Sequence, residues 1–446
     1  MVGLNAARVL IVDDKESEVL DLVRALWKVG VAPLYVDPTT INEGDASWPL
    51  SGIRLAFLDM DIVGAGADST SKVAALANCL RSLIHKDNGP YVAIAWTNHP
   101  ELVNDFDAYI FSIHEIPRPS ALIMIAKEDC SDIGSISARI DKELAGRASS
   151  VRMLEEWESA SVLAAGEVIG ELSAIASGVE TGPERWRKSW DRTILRVMHT
   201  CAKESVGEDG IADGASAYKA FCHSLVPLHE DKLERGVSLP PPDLLQLTKS
   251  LLDVTAKEDC GIEAKARINR MMHCSFDELK TLQAGSVYLL EKSSLRPLFP
   301  ELTTMLKTLV PIRSLSPEEQ AKRVAEIASQ VKVVAVETSP TCDHIQGRLI
   351  LARLLGGYLV PVRLREDSLK NNLPASIWEL SPLWLSFGGS EFSSYALLVD
   401  CLLLSSCGLD KLKSIEAFFR IRNQAFSALQ VHFASHAARP GMVLLK

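Results

Sequence analysis

Five short apolar runs, each closed on its C-terminal side by a polar residue, constrain the fold of this chain more than any other feature. Arg8–Val12 (RVLIV), Val31–Val36, Ile53–Leu58 (IRLAFL), Tyr91–Trp96 (YVAIAW) and Leu122–Ala126 (LIMIA) are short and rich in β-branched and apolar residues, as buried strands are. Helical periodicity fills the gaps. Ser17–Gly30 places Val19, Leu22, Val23, Leu26 and Trp27 on one helical face and stops at Gly30. Ser71–Ile84 and Glu101–Ile113 read as two further helices, and Pro117-Arg118-Pro119 as a turn before the last strand. Strands alternating with helices predict a doubly wound parallel sheet. All the strand C-termini of such a sheet lie along one edge, where open α/β folds bind their ligands.

The polar residues that close the runs carry a coherent chemistry. Asp13 and Asp14 follow the first strand, Asp59 the third, Thr97 the fourth and Lys127 the fifth. Three carboxylates gathered at one edge repel one another unless a cation neutralises them. Mg²⁺ suits such a place, because it binds through a few carboxylate or carbonyl oxygens and keeps several waters. The main-chain carbonyl of Asp61 is placed to be a further ligand. With the cation present, Asp59 can act as a carboxylate nucleophile toward phosphorus and form an acyl phosphate. Lys127 and the Thr97 hydroxyl are then expected to hold two phosphoryl oxygens and the metal the third.

The segments VLIVDDKES, LAFLDMD, AIAWT and MIAK resemble the receiver domains of bacterial two-component response regulators, over about 140 of 446 residues. The resemblance implies a flavodoxin-like, doubly wound five-stranded parallel sheet. It implies Asp59 as phospho-acceptor, Asp13 and Asp14 as metal-binding acids, Thr97 as switch hydroxyl, Lys127 as phosphate-sensing lysine, and a histidine kinase as partner. The chain departs from the family at three places. Glu128 stands where the family usually has proline, and Met124 lies at the centre of the stretch where an aromatic switch residue is usual. The later spacings are longer, around Asp87–Pro90 and Ser112–Pro119. The expected molecule accepts phosphate without the familiar threonine–aromatic switch.

Three regions are expected: a receiver-like domain over 1–140, a helical connector over 141–280, and a mixed, β-rich unit with a C-terminal helix over 281–446. Ile136–Ser177 is helical in composition, Val206–Gly214 and Pro240-Pro241-Pro242 are loop-like, and an Ala-rich stretch at Val162–Ala176 allows the close helix packing of a homodimer. Leu154 and Trp157 mark a packed or self-associating face. In the last region Ser286–Leu290, Lys332–Glu337, Tyr358–Leu364 and Pro382–Phe387 read as strands, Gly356-Gly357 as a turn, and Asp410–His436 as a helical tail.

The net charge of −10, with no dense Lys/Arg block, argues against nucleic acid as a partner. No apolar run reaches the length of a membrane span and no signal peptide precedes the first strand, so a cytoplasmic protein with no membrane partner is expected. Nine cysteines without CxxC spacing read as reduced thiols. Cys342, in TSPTCDHIQG beside Asp343 and His344, supports a rival reading as the nucleophile of a receiver-regulated effector enzyme. No other output motif is legible beyond the receiver. The leading expectation is therefore a signalling protein, not an enzyme, that takes a phosphoryl group on Asp59 and binds other signalling or effector proteins. It resembles the receivers that act as phosphate sinks in Detocs-type anti-phage phosphorelays. A scaffold whose receiver is never phosphorylated is the third reading.

Overall fold

In a computed structural model of the chain, the described residues are 8–28, 30–40, 49–63, 67–113, 115, 117–127, 149–176, 182–211, 214–237, 260–277, 279, 282–291, 293–307, 309–310, 316–345, 349–369 and 372–438. Two compact units divide it: Met1–Ala174 with Pro227–Thr255, and Ile175–Val226 with Ala256–Lys446.

The first unit is built on a five-stranded sheet of order β2-β1-β3-β4-β5. Its strands are β1 (Val9–Val12), β2 (Leu34–Val36), β3 (Leu55–Leu58), β4 (Val92–Trp96) and β5 (Ala121–Ile125). All neighbouring pairs are parallel. The expected parallel sheet is therefore present, in an order consistent with a flavodoxin-like fold. Because successive residues of a strand point to opposite faces, each short run fills two cores. Leu10, Val12, Ala56, Leu58, Ala93 and Ala95 pack toward α2 (Ser69–Leu83) and α3 (Glu101–Ser112). Ile11, Phe57, Ile94 and Trp96 pack toward α1 (Glu16–Lys28), through Val19, Leu22 and Leu26. Between β2 and β3 the described residues hold a 3₁₀ turn, Pro38–Thr40, and an isolated parallel bridge from Leu50 to Ile84.

Three long helices follow: α4 (Ser149–Ala176), α5 (Pro183–Ile211) and α6 (Gly214–Val237). The loop expected at Val206–Gly214 is largely helix, since α5 runs to Ile211 and α6 starts at Gly214. Leu154 and Trp157, expected on a packed or self-associating face, stand 54% and 58% exposed on α4, so they are not packed within this chain. Glu128 and the Pro240-Pro241-Pro242 segment lie outside the described residues.

The second unit carries a seven-stranded sheet of order β10-β11-β9-β8-β7-β12-β6. Its strands are β6 (Cys274–Ser275), β7 (Ser286–Leu289), β8 (Lys332–Glu337), β9 (Leu351–Pro361), β10 (Ile377–Leu385), β11 (Ser393–Gly408) and β12 (Phe419–Ile421), and every pair is antiparallel. Helix α7 (Gly261–His273) packs on β10 and β11, and the Asn269 side-chain amide donates to the carbonyls of Ser381 and Pro382 at 3.3 and 3.1 Å. Short helices α8 (Leu302–Leu306), α9 (Pro317–Ala328), α10 (Thr341–Ile345), α11 (Val362–Ser368) and α12 (Leu409–Lys413) precede the terminal α13 (Asn423–Ala437).

Three sequence expectations change here. Gly356-Gly357 is not a turn but the interior of β9. A Cβ on Gly356 would lie 2.8 Å from Phe299 and one on Gly357 2.5 Å from the Leu398 carbonyl oxygen, so the pair lets β9 approach its neighbours closely. The strand expected at Tyr358–Leu364 ends at Pro361, and α11 begins at Val362. The helical tail at Asp410–His436 is interrupted by β12, whose Phe419 and Ile421 are buried in the sheet core.

Candidate functional site

The parallel sheet brings the acids and the lysine together. The main chain sets them first: the Asp59 N–H donates to the Val12 carbonyl at 2.9 Å, and the Asp13 N–H to the Val36 carbonyl at 3.3 Å. Both residues thus continue their ladders one step beyond the strand ends, and Asp13, Asp14 and Asp59 each offer a carboxylate oxygen within 4.8 Å of the others. Asp13 and Asp59 are buried and Asp14 half-buried.

Lys127, just past β5, reaches back into this cluster. Its ammonium donates to Asp13 Oδ2 at 2.7 Å, Asp59 Oδ2 at 3.0 Å and Glu18 Oε2 at 2.7 Å. Burial pulls the lysine pKa down, but the hydrogen bonds to Asp13 and Glu18 and the charge of Asp59 push it up, and the net shift is upward. Burial pushes the Asp13 carboxyl up, and that outweighs the hydrogen bonds from Lys127 and from the Lys15 N–H. The hydrogen bond from Lys127 holds the Glu18 carboxyl below its ordinary value. The second Asp13 oxygen accepts from the Lys15 N–H at 2.8 Å, and Tyr35 Oη donates to the Asp13 carbonyl at 3.0 Å.

Thr97 lies at the same edge, fully buried, and its hydroxyl accepts from the His99 N–H at 3.0 Å. Asp61 sits beside Asp59. Its N–H donates to Asp59 Oδ1 at 3.2 Å, and its carboxylate meets Lys72 Nζ at 2.8 Å and His99 Nε2 at 3.5 Å. The Lys72 hydrogen bond lowers the Asp61 pKa. Met124, in register with Ala95 on β4, is 38% exposed and presents no aromatic ring beside Thr97.

The acidic triad has the donor set for a metal ion. Its oxygens are hard ligands, and Asp14 Oδ1 is buried without a hydrogen-bond partner among the described residues. Such an orphaned acceptor is costly to keep unless a cation or water meets it.

Sequence reading did not single out Glu18, Lys72, His99 or Tyr35. Of these Glu18 was the most accessible: it stands in the first turn of α1, four residues beyond Asp14, and that turn starts at the same sheet edge. Lys72 and His99 come from a helix and a loop whose side-chain directions no strand pattern specifies.

In the second unit, Cys342 lies on α10, and its side chain is outside the described residues. Its neighbour His344 is paired through Nε2 with Glu337 Oε2 at 2.7 Å, and the other Glu337 oxygen accepts from the Ser339 N–H at 3.0 Å. Glu337 is fully buried at the end of β8, so this pair ties α10 to the strand end.

No protein-family model matches this chain, and no curated protein sequence is significantly similar to it. Among the described residues, no helix is long and apolar enough to cross a membrane. The five-stranded parallel sheet and its acidic cluster are compatible with a receiver domain.

Proposed function

We propose that this protein is a response-regulator-like signalling protein that accepts a phosphoryl group on Asp59 from a partner histidine kinase. The observation that carries the reading is the convergence of Lys127 on Asp13 and Asp59 at the C-terminal edge of a parallel sheet. A carboxylate poised to attack phosphorus needs an adjacent cation, and the lysine is already in hydrogen-bond contact with it.

Asp13, Asp14 and Asp59, with the Asp61 carbonyl, would hold Mg²⁺. When bound, it supplies charge neutralisation at the phosphoryl oxygens. The chain's own groups do the rest. Asp59 forms the new O–P bond as the donor's bond to phosphorus breaks, and the donor keeps that electron pair. The Asp61 N–H orients one Asp59 oxygen. Lys127 follows the charge as it moves onto the phosphoryl oxygens, and the Thr97 hydroxyl can donate to one of them.

A sink that competes with an effector for a shared donor is the role that best fits a chain with these acceptor residues, a helical and antiparallel-sheet extension, and no recognised output motif. An anti-phage phosphorelay is one setting for such a sink.

The test is intact mass after incubation with a small acyl phosphate and Mg²⁺. Wild type should gain one phosphoryl group, and Asp59→Asn should gain none. Equal labelling of the two proteins, or none of either beside a reactive control receiver, overturns the proposal.

A further inference from the structure

We infer that Glu18 competes with the incoming phosphoryl group for Lys127 and leaves when that group arrives, which makes it a positioning residue for the transfer. This rests on the phospho-acceptor reading above. An ammonium has three N–H donors, and in this structure Asp13, Asp59 and Glu18 take all three. A phosphoryl group on Asp59 can take over the donor that Asp59 held, but it brings more negative charge to the same ammonium than the carboxylate it replaces. Any such oxygen within hydrogen-bond reach of Nζ lies only a few ångströms from Glu18 Oε2, so the two anions repel across one cation.

Of the three carboxylates, Glu18 is the one free to go. The Asp13 side chain is 1% exposed and tied to the Lys15 N–H, and Asp59 carries the phosphoryl group itself. The Glu18 side chain is 38% exposed and already has a second partner, Lys15 Nζ, at 3.3 Å from its other oxygen. Release would swing Glu18 from Lys127 to Lys15 and water, loosening the first turn of α1. The surface that reads phosphorylation would then be that turn, which needs no aromatic residue at position 124.

The test uses full-length wild type and Glu18→Gln, which removes the charge and keeps the shape. With Mg²⁺ and increasing acyl phosphate, the concentration giving half-maximal labelling should fall roughly three- to tenfold in the variant. Amide exchange supplies a readout that a merely structural role would not move. Adding the phosphoryl mimic beryllofluoride with Mg²⁺ should speed exchange at residues 16–20 in wild type. In Glu18→Gln, exchange there should be fast already and unchanged by the mimic. A labelled wild type with an unshifted variant, or an α1 turn that beryllofluoride leaves as protected as before, overturns the role of Glu18 alone. A wild type that takes no label overturns the phospho-acceptor reading and this inference with it.

Discussion

At the scale of single residues, the site is a balance between one cation and several acids. Lys127 is the counter-charge to Asp13, Asp59 and Glu18, and the first two are almost fully buried. Lys127→Met therefore leaves carboxylates facing each other in a poorly solvated place, at an expected cost of about 3–5 kcal/mol without divalent metal. A bound cation can replace the missing charge. Mg²⁺ should then raise the melting temperature of the variant more than that of wild type, and equal shifts would show that the lysine is not the counter-charge. The acid limb carries a sign as well. The Glu18 and Asp61 carboxyls lie below their ordinary values, held by Lys127 and Lys72. Each contributes stability that is full above the unfolded value, about 4, and is lost as the pH falls through the depressed one. Asp13 runs the other way: its raised value penalises the ionised form, and acid relieves that penalty. Lys127→Met removes the hold on Glu18, so melting followed from pH 5 to pH 2 should show a flatter acid limb in the variant.

At the scale of elements, the opposite edge of the same sheet anchors α4. Glu158 accepts from Arg8 Nη2 at 2.6 Å and from Arg54 Nε at 2.7 Å. Arg54 also donates to the carbonyls of Ile53 and Asn88, and the buried Asn88 side chain closes on the Ile53 backbone at 2.9 and 2.8 Å. Burial raises the pKa of nearby Glu155, with Arg8 and Arg54 pulling against it. The helix is thus held by a charge-assisted network at the strand N-termini, remote from the edge that carries Asp13, Asp59 and Lys127. Glu158→Ala leaves two guanidinium groups without their carboxylate, at about 1.5–3 kcal/mol. Amide exchange along α4 should accelerate at least tenfold while β1, β3 and β4 keep their protection. Loss of protection in the strands as well would show that the clamp supports the sheet and not only the helix.

At the scale of the whole molecule, each compact unit takes chain from two separate stretches, so neither can be cut out as one segment. Within the second unit the seven-stranded sheet uses β6 at its edge and α7 against β10, and both precede residue 281. A fragment of 260–438 keeps those elements. One of 281–438 leaves β12 without its β6 partner and uncovers the face of β10 that α7 occupies. The longer fragment should give the higher soluble, monomeric yield by size-exclusion chromatography. Equal yields would show that α7 and β6 add nothing to the stability of the sheet.

The five-stranded parallel sheet was legible in the sequence because its strands are short, apolar and locally encoded. A parallel sheet must send each strand-end residue to one edge, so Asp13, Asp59 and Lys127 could be grouped from chain order alone. The second unit was less legible. Strands as long as β9 and β11 gain their stability from cross-strand partners far away in sequence, and a glycine pair or a three-residue strand such as β12 gives no periodic signal of its own. The same holds for Glu18 on Lys127 and Glu158 on Arg8 and Arg54: each contact joins residues about 100 or more positions apart. Local pattern determined the strands of the parallel sheet and the edge that gathers Asp13, Asp59 and Lys127. Only tertiary packing decided which charged side chains meet there, because ion-pair partners are chosen by distance in space.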